Sequence, residues 1–189
     1  IWFHKRPRAA NPANIVKHGS LTELQGIDLV ETIRSSEQGL VAYFPFNGNA
    51  KDESGNNHHV EVIGTTLTND RHDNPGRAYN FYKSWIYVYG ANAPVGNADR
   101  TISLWARVSE ASSGRGQAIA EWGQSQRRNR FSVFIKRNGN LSLVSEGDDL
   151  ETNVTLEPGH FYFIGVSYGK GEVKIYVNGK LVGTDAIEL

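Results

Sequence analysis

Residues 173–183, Val173-Lys-Ile-Tyr-Val-Asn-Gly-Lys-Leu-Val-Gly183, carry the clearest fold signal in this chain. Two runs rich in β-branched and aromatic residues flank an Asn-Gly dipeptide. Asn-Gly readily takes the two positive φ angles of a type I′ turn, whose twist matches that of antiparallel strands. The same dipeptide recurs at 138–139, and Gly169-Lys-Gly171 forms a third tight connection. The stretch therefore predicts a β-hairpin, with two more hairpins upstream of it.

Short strand-like segments continue back from this hairpin as far as Gly39. Residues 101–108 alternate most cleanly, because Ile102, Leu104 and Ala106 share one face while Ser103, Trp105 and Arg107 share the other. Many short strands joined by tight turns, with no intervening helix, predict an all-β antiparallel sandwich or barrel. The predicted strands are 40–46, 60–64, 78–81, 85–89, 101–108, 118–122, 131–136, 141–145, 161–168, 173–177 and 181–183.

Residues 1–38 follow a different pattern. Residues 1–19 have no periodicity and suggest a linker, which begins either as a basic arm or as the last turn of a membrane helix with its basic flank. Ser20 and Glu23 then match a helix capping box, and apolar residues recur every three positions as far as Ile33. We expect a linker with a short helix over 1–38, followed by one β domain over 39–189.

Composition narrows the possible functions. The 20 basic and 20 acidic residues cancel, so net charge gives no general attraction to nucleic acid. The absence of cysteine excludes disulfides, a cysteine-ligated zinc site and a cysteine nucleophile. No run of about 18 apolar residues occurs, so the chain contains no complete membrane-spanning segment.

The segment Gly39-Leu-Val-Ala-Tyr-Phe-Pro-Phe-Asn-Gly-Asn-Ala-Lys-Asp52-Glu-Ser-Gly-Asn-Asn-His58 resembles the opening of the laminin-G-like, concanavalin A-like jelly rolls. Residues 76–81, 101–107 and 161–183 resemble later parts of the same family, in the same order. The resemblance implies a jelly roll that serves as a binding module of a larger multidomain protein. It also implies a position outside the cytoplasm, either secreted, periplasmic or at the cell surface, and leaves membrane anchoring open.

Domains of this kind continue beyond the late hairpin, and their first strand pairs with one of the later strands. We therefore expect the jelly roll to be incomplete at its C-terminus, with further strands after Leu189. The helical segment before Gly39 is an alternative cover for the edge of the first strand.

Residues 47–57 are rich in the oxygen ligands that calcium prefers, namely carboxylates, amides and backbone carbonyls. The resemblance supports Ca²⁺ as a cofactor, because many relatives bind it in nearby loops. Asp52 would be the central ligand and Asn47 a second one. Alternatively, these side chains cap a turn by bonding to their own backbone, while the glycines supply positive φ angles.

A second candidate site is a cationic loop formed by Arg115, Arg127, Arg128, Arg130, Lys136 and Arg137. Guanidinium groups match the geometry of carboxylate and sulfate. With Trp122 and Gln124 nearby, the loop would grip an acidic glycan, with the ring on a sugar face and arginine on the anion. The alternative is a solvated hairpin whose charge is balanced by the acidic residues 146–157.

Aromatic side chains supply the third candidate. Trp85, Tyr87 and Tyr89 alternate along one strand, so they form either a platform for sugar rings or part of the core. We expect Trp105 to lie in the core.

Catalytic motifs are missing. Glucanases of this fold carry Glu-x-Asp-x-x-Glu on one strand, which sets two carboxylates at the separation that hydrolysis requires, and this chain has no such motif. It also lacks a Gly-x-Ser-x-Gly elbow. We therefore predict no catalytic residues and no enzyme activity. The predicted partner is a glycan, with an extracellular protein as the alternative, and no nucleic acid.

Overall fold

The computed structural model describes residues 2–4, 39–109, 116–124 and 129–189. Within these ranges the secondary structure consists of strands, and no helix long and apolar enough to cross a membrane is found there. The predicted helix within 20–36 lies outside the described residues. The strands are β1 Trp2–His4, β2 Leu40–Tyr43, β3 His59–Ile63, β4 Thr66–Thr68, β5 Ala78–Asn80, β6 Trp85–Tyr89, β7 Arg100–Arg107, β8 Gln117–Gly123, β9 Arg130–Ile135, β10 Asn140–Val144, β11 Leu150–Thr155, β12 Phe161–Gly169, β13 Glu172–Val177 and β14 Lys180–Ala186.

Two antiparallel sheets make the sandwich that the sequence predicts. The larger sheet has the strand order β14-β13-β12-β7-β1-β2, and the smaller has the order β11-β10-β9-β8. Two separate ribbons, β3-β6 and β4-β5, complete the described strands. The expected all-β jelly-roll sandwich is therefore confirmed.

The core lies between the inner faces of the two sheets. Ile102 and Leu104 of β7 are buried in it, together with Val133, Leu141 and Leu143 of the smaller sheet. The alternation predicted for residues 101–108 is thus confirmed. The expectation that Trp105 lies in the core is wrong, because Trp105 is in phase with Ser103 and Arg107, and its side chain is 46% exposed on the outer face.

Arg100, at the start of β7, is buried and contacts a ring from each of the two sheets. Its guanidinium lies 4.9 Å from the ring centroid of Phe131 in the smaller sheet and 4.8 Å from that of Tyr168 in the larger one. It donates hydrogen bonds to the carbonyl oxygens of Pro94 and Gly96. Burial lowers the pKa of Arg100 to about 10, so the group remains charged at neutral pH. The cation therefore ties the 94–96 loop to both sheets.

Residues 2–4 form a strand between β2 and β7. Phe3 is the Cα register partner of Ala42 on one side and of Ile102 on the other, and both pairings are antiparallel. For these three residues, the expectation of a linker or of the end of a membrane helix is wrong. The strand beside β2 is β1, in the place where we expected one from beyond Leu189. The predicted boundary between a linker and the β domain stays a prediction.

The predicted turns differ in type. Asn178 and Gly179 have φ angles of 50° and 80°, which confirms a type I′ turn between β13 and β14. Lys170 and Gly171, between β12 and β13, also both have positive φ angles. At the other Asn-Gly dipeptide, Gly139 has a φ of 85° and its N–H donates to the carbonyl of Lys136 at 2.9 Å. That loop is one residue longer than a type I′ turn, so the prediction of its type was wrong.

A substitution at Gly123, at the end of β8, tests the close approach of its backbone to that of Asn129. Its φ is 89°, and a Cβ there would lie 2.0 Å from the carbonyl oxygen of Asn129. Gly159 has a similar φ of 84° and nothing within 4 Å of its Cβ position. We expect Gly159→Ala to cost about 1–2 kcal/mol through left-handed strain, and Gly123→Ala to cost clearly more because the backbone at Asn129 must also move. Urea unfolding measures both losses, and equal losses would contradict the contact.

Candidate functional site

Asp52 organises the first loop from a buried position. Its carboxylate is 1% exposed and accepts backbone hydrogen bonds from Tyr43 (3.0 Å), Ser54 (3.0 Å) and His58 (3.2 Å). The Ser54 hydroxyl donates to it at 2.9 Å, and Nδ1 of His58 lies 2.7 Å away. Burial alone would raise the pKa of Asp52, but the hydrogen bonds outweigh it and lower the pKa to about 2. Both carboxylate oxygens are therefore used to hold the loop.

The rest of residues 47–57 follows the turn-capping alternative. The Asn49 side-chain oxygen accepts a hydrogen bond from the Lys51 backbone N–H at 2.8 Å, two residues along. Gly48 and Gly55 take φ angles of 79° and 89°. The turn-capping interpretation of this loop is confirmed.

Calcium does not suit these donors as they are arranged. The oxygens of Asp52 face N–H and O–H donors, and the side-chain oxygen of Asn47 accepts a hydrogen bond from Arg77 at 2.5 Å. Across the residues that the structure describes, no group of three or more His, Asp or Glu side chains is placed to hold a metal. Calcium requires six to eight oxygens free to turn toward it. Calcium binding at Asp52 and Asn47 stays a prediction that this geometry does not support.

Arg130 of the cationic loop has its charge matched within the protein. It donates to Glu121 at 2.6 Å and also to Glu146, and these carboxylates raise its pKa. The Ser132 hydroxyl shares the same Glu121 oxygen at 3.0 Å. For Arg130, these contacts favour the alternative of a hairpin balanced by acidic side chains.

Of the other residues named for glycan contact at that loop, the structure describes Trp122 and Gln124. Trp122 donates from Nε1 to the Pro94 carbonyl at 2.8 Å, and its ring centroid lies 4.6 Å from that of Phe131, beside the core. Gln124 is exposed. Arg115, Arg127 and Arg128 lie outside the described residues. The glycan-binding prediction for this loop therefore stays a prediction.

The aromatic row on β6, defined as Trp85, Tyr87 and Tyr89, is displayed to solvent. The three side chains are 47%, 52% and 48% exposed. Neighbouring ring centroids are 6.2 Å and 6.0 Å apart. The core alternative for this row is therefore wrong, and the rings form an aromatic strip along one strand, with interplanar angles of 69° and 41° between neighbours.

Polar groups from β3 border the row. Register pairs Glu61 with Tyr87 and His59 with Tyr89, so these residues share the exposed face of the ribbon. The Tyr89 hydroxyl donates to Glu61 at 2.7 Å, which raises the pKa of Tyr89, and the His59 ring centroid lies 5.5 Å from that of Tyr89. Sequence reasoning identified the row but missed these neighbours, because the pairing of β3 with β6 joins segments more than twenty residues apart.

The buried carboxylate predicts a pH dependence of stability. The pKa of Asp52 is about 2 in the folded protein against 3.8 as its ordinary value, so the stability it contributes is present above about pH 4 and is lost as the pH falls toward 2. We expect Asp52→Asn to lower the free energy of unfolding at pH 7 by about 2 kcal/mol, because its NH₂ group would face N–H donors.

Urea unfolding between pH 2 and pH 7 checks this expectation. Asp73→Asn is the matched control, because Asp73 is exposed and its φ of 61° suits asparagine. A variant at position 52 as stable as the control, or with the pH profile of the unmodified protein, would contradict the role of Asp52.

Comparison with known proteins agrees with the fold. A family model described as the concanavalin A-like lectin/glucanases superfamily, Laminin_G_3, matches residues 83–188. Among solved structures, the chain is similar to the crystal structure of the receptor binding domain of botulinum neurotoxin C/D mosaic serotype, with 17% sequence identity and a TM-score of 0.53. That alignment covers 77% of this chain and 38% of the neurotoxin chain, and shows a shared fold. No match is found among curated protein sequences.

The family match spans more than half of the chain and includes β7 to β14, which form the smaller sheet and four strands of the larger one. It confirms the resemblance drawn from the sequence motifs. This protein belongs to the concanavalin A-like lectin/glucanase superfamily, as a laminin-G-like domain.

Proposed function

We propose that this domain is a non-catalytic module that binds carbohydrate, and that the aromatic row on β6 is its contact surface. The observation that carries the proposal is three successive rings, each about half exposed, lying 6.0–6.2 Å apart along one strand. Burying such side chains would stabilise the fold by about 1.5–3 kcal/mol each, so their joint exposure requires an explanation. Contiguous exposed apolar surface is typical of a binding site.

The chemistry of the row suits a sugar chain. A pyranose ring has apolar C–H faces and a rim of hydroxyl groups, so it needs flat apolar contacts with a few polar groups at the side. The rings of Trp85 and Tyr87 supply the contacts. Glu61, held at the row by the Tyr89 hydroxyl, supplies carboxylate oxygens that accept hydrogen bonds from sugar hydroxyls. Because the rings repeat along the strand, the expected ligand is a linear oligosaccharide lying parallel to β6.

The proposal also covers where the domain works and what kind of protein contains it. We propose that the domain works outside the cytoplasm as part of a larger surface or secreted protein, as its motifs suggest. The lack of a Glu-x-Asp-x-x-Glu motif supports a binding role over hydrolysis. Protein binding is the competing function, because tyrosine and tryptophan are also enriched in protein interfaces. A glycan array distinguishes the two.

Substitutions in the row test the proposal. We expect Trp85→Ala and Tyr87→Ala each to weaken binding of an array-identified oligosaccharide by about 3- to 10-fold, because each removes one stacking surface. Isothermal titration calorimetry gives the affinities. Tyr82→Ala is the matched control, since Tyr82 is 63% exposed and lies outside the row. An array without any bound glycan, or an equal loss in the control, would contradict the proposal.

Calcium independence is a second expectation. The six residues on the exposed face of the β3-β6 ribbon include one carboxylate, that of Glu61, whereas calcium requires six to eight oxygens. We expect the same oligosaccharide affinity in calcium chloride and in EDTA. If EDTA abolishes binding and calcium restores it, calcium-assisted recognition through residues 47–57 becomes the better explanation.

A further inference from the structure

Aromatic residues also lie on the outer face of the larger sheet, where Trp105 is exposed and Phe161 and Phe163 are partly buried. Trp105 of β7 faces Phe163 of β12, and their ring centroids are 5.5 Å apart. The next pair on the same face is Arg107 with Phe161, and the guanidinium lies 4.7 Å from the ring centroid. Two neighbouring strands thus present rings and a cation side by side, on a different sheet from the row on β6.

A loop between β4 and β5 adds a second cation. The guanidinium of Arg71 lies 4.5 Å from the centroid of the Trp105 ring. The loop around it is fixed by Asp70, whose carboxylate accepts backbone hydrogen bonds from His72 at 2.8 Å and Asn74 at 3.0 Å. The Asn74 side chain also donates to this carboxylate, and these bonds lower the pKa of Asp70. Arg71 therefore reaches Trp105 from an ordered turn.

Neither guanidinium has its charge matched by the described part of the chain. Arg71 and Arg107 are exposed, and no described carboxylate lies at ion-pair distance from either of them. Arg130, by contrast, is held by two glutamates. A guanidinium that stacks on a ring through its flat face keeps its N–H donors in plane, where they match the oxygens of a carboxylate or sulfate.

From this arrangement we infer that Arg71, Trp105, Arg107 and Phe163 form a second binding site, the outer-face site, and that its ligand is a sugar carrying an anionic group. The rings contact the C–H face of the sugar, and the two guanidinium groups hold its carboxylate or sulfate. The inference does not depend on the row on β6, because it uses other residues and another ligand chemistry.

The position of this site in the sheet favours a sugar over an extended peptide. β7 lies between β12 and β1, and β12 lies between β7 and β13, so the backbone groups of both strands are already paired. Peptides that bind to sheets usually gain affinity by adding a strand to a free edge. An anionic sugar requires only ring contact and charge-assisted hydrogen bonds, and the outer-face site offers both.

Binding of defined oligosaccharides to the full chain tests the inference. The ligands are a galacturonic acid hexamer, its fully methyl-esterified form and a chondroitin sulfate hexasaccharide. We expect one of the two anionic sugars to bind, the neutral ester to bind at least about tenfold more weakly, and affinity to fall with added salt. Binding of the galacturonic acid hexamer identifies carboxylate as sufficient; because chondroitin sulfate carries both carboxylate and sulfate, comparison with its desulfated form identifies sulfate as the anion.

Variants locate the binding on the surface. We expect Arg71→Gln and Trp105→Ala each to weaken binding about tenfold, and Arg107→Gln to do the same. Lys180→Gln is the matched control, because it removes one positive charge from an exposed side chain at the start of β14, outside every candidate site. Tyr82→Ala, which removes an exposed ring outside both sites, should leave this affinity unchanged. Circular dichroism and thermal unfolding confirm that each variant is folded.

Four results would overturn the inference: no binding of either anionic sugar, equal affinity for the methyl ester, equal affinity for a glutamate hexapeptide, or the same loss in Lys180→Gln as in Arg71→Gln. If Trp85→Ala and Tyr87→Ala leave the binding of an array-identified neutral oligosaccharide unchanged, the proposal for the row on β6 fails while these measurements stand, so the two proposals fail separately.

Discussion

The packing of one face of β7 and β12 against β9 and β10 is the constraint on which the rest of this structure depends. Successive side chains of a strand point to opposite faces, so burying Ile102 and Leu104 on the inner face turns Trp105 outward. The same holds for β12, where Ile164 is buried and Phe163 is paired with Trp105 on the outer face. The position of Trp105 and Phe163 on the outer face follows from the register that builds the core. A slip of one residue would exchange the two faces, and the burial of apolar surface in the core prevents it.

Whether a charged side chain serves the fold or a ligand depends on whether its partners lie within the protein. Asp52 is buried among backbone N–H groups, and Arg130 is shared by two glutamates, so both are satisfied by their own chain. A ligand would have to replace those bonds to gain any of its own. Arg71 and Arg107 lie over rings, and no described carboxylate is at ion-pair distance from either, so a ligand there gains charge-assisted hydrogen bonds without first breaking an ion pair.

The sequence predicted the fold where period-two patterns and turn residues agree, as in β6, β7 and the hairpin of residues 173–183. It missed β4, which is three residues long, and β11, where the buried position is Thr152 rather than an apolar residue. Thr152 is tolerated there because its hydroxyl donates to the Leu141 carbonyl at 2.8 Å, a contact that no local pattern reveals. β1 was missed because its two neighbours, β2 and β7, are distant in sequence.

Site residues were predictable only to the extent that they lie on one strand. The row on β6 is visible in the sequence because its members alternate, but its exposure depends on what packs against the ribbon. Arg71 lies 34 positions from Trp105, and the loop that brings them together is held by side-chain bonds of Asp70 rather than by a strand. Rings anchored on strands have few rotamers to lose on binding, whereas a long arginine side chain loses more. Stacking Arg71 on Trp105 before the ligand arrives restricts that freedom in advance, so the same contact that places the cation also lowers the entropic cost of using it.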